Sequence, residues 1–285
     1  MAPAPQDPIF NGRTLTQWLN QLDDGEAGGI GYPPTRRTQA QIEAAEAVHA
    51  VGSEALPLLL KDIHATPASD SFRVKFWESV NSCIERVSGS RPSFGSITPE
   101  DRRRWRAAQG VAALGPLAKP ALPELQRLLF TNYFHSSIKE AAYALATIGP
   151  EGLDILTNAV QPQAEWSGMC AVWSLGQHPA AGSNAIPFLI RASCSSSEGT
   201  ACGALQVLGL LHTDAEHVIP ALTNALASTN ANLRRDAARA LGEFRWQAVS
   251  AAPLLQALTN NPATKAEALE AMKKIQLSAP ASDKP

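Results

Sequence analysis

Ile186-Pro187-Phe188-Leu189, Ile219-Pro220-Ala221-Leu222 and Ala252-Pro253-Leu254-Leu255 are one element written three times. The prolines stand 33 residues apart on both occasions, and each follows by 11 residues a Leu-Gly pair ending at Gly176, Gly209 or Gly242. A period of this size belongs to stacked-helix solenoids, in which each unit buries its apolar side only against its neighbours.

Working outward, six glycines fall into one column: Gly52, Gly115, Gly149, Gly176, Gly209 and Gly242. One residue before them stand Val51, Leu114, Ile148, Leu175, Leu208 and Leu241. Four before stand Val48, Val111, Leu145, Val172, Leu205 and Ala238, and five before stand Ala47, Gly110, Ala144, Ala171, Ala204 and Ala237. Together these positions make one stripe of an α-helix. The small residues in it allow close helix–helix approach. The column glycine is expected to end the first helix in the left-handed conformation. A second helix follows, with its proline in the first turn, where a missing N–H loses no partner. Its core position, two after the proline, recurs as Leu59, Leu125, Leu189, Leu222 and Leu255, while the third unit has Asp154 in the proline's place.

The predicted helices are 14–22, 38–51, 54–64, 72–87, 99–114, 119–130, 134–148, 151–160, 163–175, 181–193, 197–211, 215–227, 230–244, 248–258 and 262–276. The fold expected is all-α, a right-handed α-solenoid of stacked antiparallel helix pairs. Residues 1–37 read as an N-terminal cap segment and loop, 38–276 as the repeat array, and 277–285 as a disordered tail. The interval from Gly52 to Gly115 is 63 residues, so an extra helix and a breaker-rich loop are inserted at 66–98.

Of 285 residues 45% are apolar, enough for a continuous core, and the formal charge of −2 supplies no global field for nucleic acid or a membrane surface. No apolar run is long enough to span a bilayer. The N-terminal MAPAPQDPIF has neither a charged nor an apolar signal region, so the cytoplasm is the default compartment; an exported protein whose signal had been removed would read the same way. Cys83, Cys170, Cys194 and Cys202 show no metal-ligand spacing and read as free thiols; a Cys170–Cys202 disulfide stays open if the chain is exported.

Asn232-Leu-Arg-Arg-Asp-Ala-Ala-Arg-Ala-Leu-Gly242 resembles the first helix of the HEAT-repeat family. Ala112-Ala-Leu-Gly-Pro-Leu-Ala-Lys-Pro-Ala-Leu-Pro-Glu-Leu125 is similar to bacterial HEAT-like repeats, including those of phycobilisome lyases. Phe10-Asn-Gly-Arg-Thr-Leu-Thr-Gln-Trp-Leu19, followed by the repeats, resembles a group of uncharacterised bacterial HEAT-repeat proteins whose members are often exported. The resemblance covers roughly 38–276. It implies a protein-binding scaffold whose second helices line the concave face. HEAT-type deoxyhypusine hydroxylases carry His-Glu pairs that bind two irons. None of the six histidines here, His49, His64, His135, His178, His212 and His217, is followed by Glu, which removes that reading.

Several constellations carry a functional and a structural reading. Arg102-Arg103-Arg104-Trp105-Arg106 is either a grip for phosphates or acids, or the solvated start of a helix that opens on Thr98-Pro99-Glu100-Asp101. Helix 163–175 has a second apolar stripe, Trp166, Met169, Cys170 and Trp173. It is either an interface or packing into the small residues Gly199 and Gly203 of the next helix. Tyr143 and Trp105 are expected on the same outer surface. A polar row four residues after each proline position, Lys61, Arg127, Asn158, Arg191 and Asn224, is either a mildly basic binding ladder or a solubilising face. His212-Thr-Asp-Ala-Glu-His217 reads as a capping box from Thr213 to Glu216 rather than a metal site. No catalytic, dinucleotide or phosphate-loop motif is present.

The sequence therefore predicts a non-enzymatic scaffold for a protein or peptide, without metal or cofactor. The polar row, Arg102, Arg103, Trp105, Trp166 and Trp173 are its candidate contacts. Nucleic-acid binding through Arg102–Arg106 is the alternative, disfavoured by the charge balance. Partner identity and oligomeric state are not written in the sequence.

Overall fold

The computed structural model describes residues 7–23, 37–65, 99–130, 135–160 and 165–277. The insertion at 66–98 with its predicted helix 72–87, the loop at 25–35 and the tail after 277 lie outside them. The described residues up to Leu114 form one compact unit and those from Gly115 onward a second. That boundary falls inside the stretch 38–276 read from the sequence as one array.

The first unit opens with a feature the helical reading did not contain. Strands β1 (Ile9–Phe10) and β2 (Arg13–Thr14) pair antiparallel around Asn11 and Gly12, whose φ values of 50° and 73° make a two-residue hairpin turn. The hairpin delivers Thr14 as the cap of α1 (Leu15–Leu22), in a capping box with Gln17. Trp18 Nε1 donates back to the Phe10 carbonyl at 3.0 Å. A second capping box, Thr38 with Gln41, starts α2 (Gln39–Val51); α3 (Leu56–Ile63) and α4 (Pro99–Leu114) complete the unit. Pro99 and the acids Glu100 and Asp101 stand in the first turn of α4, as expected at the positive end of a helix. Helices α1 and α3 both pack on α4. They converge on Gly110, where an added Cβ would lie 2.7 Å from Cδ2 of both Leu19 and Leu59.

The second unit contains α5 (Leu122–Phe130), α6 (His135–Ile148), α7 (Pro150–Thr157), α8 (Glu165–Gln177), α9 (Pro179–Asn184), α10 (Ile186–Ala192), α11 (Glu198–Leu211), α12 (Ala215–Ala225), α13 (Ala231–Glu243), α14 (Ala252–Leu258) and α15 (Lys265–Leu277). It is an all-α solenoid of stacked antiparallel helix pairs. First helices α6, α8, α11, α13 and α15 pack one on the next, and α10, α12 and α14 each pack on the first helix that follows. The helix expected at 181–193 is two helices. The chain turns at Ala185 (φ −98°, ψ 10°), so that Pro187 falls in the first turn of α10, where it displaces no hydrogen bond.

The column glycines divide into two kinds. Gly52, Gly115 and Gly149 have positive φ (69°, 55° and 123°) and end their helices as expected. Gly176, Gly209 and Gly242 do not end theirs; each lies within the last turn of its helix and is buried. What they provide is proximity. A Cβ on Gly176 would lie 2.9 Å from Val207 Cγ2, one on Gly209 2.7 Å from Ala240 Cα, and one on Gly242 3.1 Å from Ala271 Cα. The 33-residue beat is a close approach of one first helix's backbone to the next helix, to the Val207 side chain at Gly176 and to main chain at Gly209 and Gly242.

This contact gives a direct test. Gly209→Ala sets a methyl group against main chain that no rotamer change can move, at a cost of about 1–3 kcal/mol. Gly199→Ala meets only the flexible Met169 thioether, 3.3 Å away, and gains helix propensity. Thermal unfolding followed by circular dichroism should show Gly209→Ala lowered by about 2–4 °C per kcal/mol. Gly199→Ala should be unchanged or raised.

Candidate functional site: the exposed row of the second helices

In the second unit Leu125, Leu189, Leu222 and Leu255 are fully buried. A residue two places further on lies about 200° around the helix and must face solvent. Arg127, Asn158, Arg191 and Asn224 are accordingly all exposed, as is Ala257 at the end of the row. Pro123, Pro187, Pro220 and Pro253, four residues before the row, are exposed on the same side. In the first unit Lys61 is likewise exposed, two places after the buried Leu59.

The row is electrostatically uneven. Arg127 is held by Glu124, with Nη2 donating to Oε1 at 2.6 Å and Nε donating to both carboxylate oxygens at 3.1 and 3.2 Å. Arg191 forms no ion pair among the described residues, and the Asn224 side chain makes no hydrogen bond among them. Phe130, at the end of α5, is 39% exposed beside this row.

The arginine cluster does not form one patch. Arg104 is buried, with its guanidinium donating to the Ala65 carbonyl and the Asp101 carboxylate. Trp105 is buried too, at 4% exposure, which corrects its expected place on the outer surface. Both follow from α4 packing on α1, α2 and α3, which leaves it little free surface. Arg102 and Arg103 are exposed, with Arg102 3.9 Å from Asp23, while Arg103 and Arg106 act on Asp62. The four cations are drawn to three separate acids, Asp23, Asp62 and Asp101, so the nucleic-acid reading is not carried forward.

The aromatic stripe of α8 packs in part against the next helix. Trp173 is half-buried, with Nε1 3.3 Å from where a Cβ on Gly203 would sit; the Met169 sulfur stands equally close to Gly199. Trp166 is half-buried and Cys170 buried. Tyr143 is buried rather than exposed, its ring centroid 4.5 Å from that of His178. Cys170, Cys194 and Cys202 are free thiols. Burial pushes Cys170 and Cys202 up to about 12; Glu140 adds to the effect at the first and the Asp236 carboxylate at the second. Cys170 therefore faces the preceding helix and Cys202 the following one, so the disulfide left open by the sequence is not formed.

The expected capping box at Thr213 is absent. Helix α12 begins one residue later on Asp214, which has φ 52° and makes no side-chain cap bond. Its carboxylate instead holds the His217 ring at 2.8 Å and raises that imidazole's affinity for a proton. Among the described residues no three His, Cys, Asp or Glu side chains are placed to hold a metal. One feature was missed entirely. His212 (φ 35°) and Arg245 (φ 54°) both adopt the left-handed conformation, so the 33-residue beat extends to the turn backbone. The sequence signal for it is weak, since Arg245 has no preference for this conformation and His212 only a modest one. After this turn Trp246 and Val249 are left 51% and 63% exposed.

These features define a helical-repeat protein. Residues 186–273, from α10 into α15, match the family model for HEAT repeats. No curated protein matches the sequence. Among solved structures the chain is similar to Kap121p, crystallised bound to Nup53p, at 14% identity and a TM-score of 0.50, over 92% of this chain and 29% of that one. It is similar to an engineered protein at 17% identity and a TM-score of 0.43, over 92% and 96% of the two chains. It is also similar to the CpcE–CpcF complex of phycocyanin lyase from Nostoc sp. PCC7120, at 18% identity and a TM-score of 0.34, over 95% and 98%. The Kap121p likeness shows the fold alone.

Next to Lys61, Asp62 offers a test of the first unit's electrostatics. Burial raises its pKa, against the opposing pull of Arg103, Lys61 and Arg106. With the folded value above the unfolded one, the folded state binds the extra proton between them, so stability falls as pH rises through that window. Above the window the ionised carboxylate carries its desolvation cost. Asp62→Asn should raise the melting temperature at neutral pH and leave it unchanged at a pH low enough to protonate Asp62 in both states. An equal shift at every pH would overturn the assignment.

Proposed function

We propose that the chain is a non-enzymatic scaffold that holds a protein or peptide partner along the face of its second helices. The observation that carries this reading is the row Arg127, Asn158, Arg191 and Asn224. It is exposed on four second helices of one unit and set at a fixed place by the buried leucines beneath it. Lys61 has the same relation to Leu59 in the first unit. A repeat array turns such a face inward and offers it as an extended surface. The HEAT repeats at 186–273 support this, since such repeats commonly serve as protein-binding scaffolds. Kap121p, similar in fold, is itself seen bound to Nup53p. The half-buried Trp166 and Trp173 are secondary candidates, as are Arg102 and Arg103 on the first unit. No helix among the described residues is long and apolar enough to cross a membrane.

The test is capture from a cell extract by the immobilised chain. Arg127→Glu combined with Arg191→Glu should remove the captured partner, at unchanged helicity by circular dichroism. Glu270→Lys, exposed on α15 away from the second helices, should retain it. Undiminished capture by the double variant would sink the proposed face.

A further inference from the structure

Resting on the scaffold reading above, we infer that the face formed by α10 and α12 takes an acidic peptide segment. An Asp or Glu carboxylate of the peptide meets Arg191, and its backbone amides meet Asn224. The argument begins with where charge lies in the second unit. First helices carry most of it and cancel it among themselves: Arg239 with Glu267 at 2.8 Å, Lys274 with Glu243 at 2.8 Å. The second helices of the regular half carry almost none. Helix α10 (IPFLIRA) has one charged group, Arg191, α14 (APLLQAL) has none, and α12 (AEHVIPALTNA) has Glu216 and His217 at its start.

Arg191 is therefore an exposed cation with no counter-charge built for it. The contrast with Arg127, whose guanidinium is clasped by Glu124 one turn away, is internal to the same row. The acids on neighbouring second helices are Asp154 and Glu216. Neither pairs with Arg191 among the described residues. Glu216 stands eight residues before Asn224, about 12 Å along the helix axis. A planar guanidinium with five donors matches a carboxylate in a two-bond fork, so an incoming acid completes what the row leaves open.

The spacing says what form the acid comes in. Helices α10 and α12 pack side by side, and Arg191 and Asn224 hold the same place on each, 33 residues apart in sequence. Packed helices lie about 8–10 Å apart, and an extended peptide advances about 3.3 Å per residue. A peptide crossing the helices thus meets Asn224 about three residues from the acid that meets Arg191. The Asn224 amide supplies one donor and one acceptor, the pair a peptide unit requires. Exposed Pro187 and Pro220 border the path on the same side, offering apolar surface with no N–H to compete for the peptide.

The test uses a phage-displayed library of random 12-residue peptides selected on the whole chain, followed by titration of the best synthetic peptide. Enriched peptides should share an Asp or Glu at one position. Arg191→Glu should weaken the chosen peptide at least about tenfold, as for loss of a hydrogen bond to a charged group. Exchanging the peptide's acid for Lys should restore binding to Arg191→Glu, which loss of structure would not allow. Raised salt should weaken the wild-type complex. Enriched peptides that lack an acid and bind Arg191→Glu undiminished, yet are lost on Asn224→Ala or Arg127→Glu, would overturn the acidic anchor and leave the scaffold reading standing. No enrichment on the wild-type chain would count against both.

Discussion

The near-contact of backbone with side chain between consecutive first helices governs the second unit. Glycine within a helix costs about 1 kcal/mol relative to alanine, and this unit accepts that cost at Gly176, Gly209 and Gly242. In return Ala240 and Ala271 come close enough that no side chain separates the helices at those points. The spacing of α11 on α13 and of α13 on α15 is then set by main chain, which cannot repack, rather than by rotamers, which can. The second helices hang on that spacing through their leucines. A fully buried Leu189, Leu222 or Leu255 finds its site only if the layer beneath has a fixed pitch.

With pitch fixed by apolar contact, polar groups between first helices have another role. Ser197 donates to Glu165 at 2.9 Å, Asn232 to Glu198 at 2.6 Å, Arg239 to Glu267 at 2.8 Å and Lys274 to Glu243 at 2.8 Å. Each spans from one first helix, or its cap, to the next. Such exposed pairs contribute roughly 0–1 kcal/mol apiece, so they do not hold the stack together. They disfavour sliding by a residue, which would separate every pair at once. The two ion pairs among them, Arg239 with Glu267 and Lys274 with Glu243, also offset charge in that layer.

How legible this was depends on the kind of signal. The helix stripes, the fully buried leucines and the exposed row followed from periodicity alone, because burial and period are the same fact seen twice. The small residues Gly199 and Gly203 opposite Met169 and Trp173 were also readable, since volume is conserved across a packed interface. The column glycines were only half readable. One residue type serves both for a left-handed turn and for close approach, and spacing does not say which; Gly149 and Gly176 occupy the same column and do different things. Trp105 and Arg104 were misplaced because the sequence does not show how many helices surround α4. The left-handed backbone at His212 and Arg245 was hard to read, since His adopts it only modestly more often than other residues and Arg has no such preference. The hairpin at Asn11-Gly12 carries a strong local signal, Asn-Gly between short β-prone pairs, that the dominant helical pattern overshadowed.

The whole-chain charge is a poor guide to what such a protein binds. A net charge of −2 on 24 basic and 26 acidic residues suggests indifference to charged partners. That sum includes groups already engaged with one another across the first helices, Arg239 with Glu267 and Lys274 with Glu243, and an engaged ion has little left to offer a ligand. On the reading proposed above, what a partner meets is the remainder on the other layer. On that reading Arg191 counts for more there than the sum, because it forms no ion pair among the described residues. In a stacked array the two layers are independent in this respect: the pitch is set in one and displayed by the other. Charge can therefore change on the second helices without disturbing the contacts that space them. Specificity is then free to vary at Arg127, Asn158, Arg191 and Asn224, while Gly209 and Ala240 are held by the geometry of the stack.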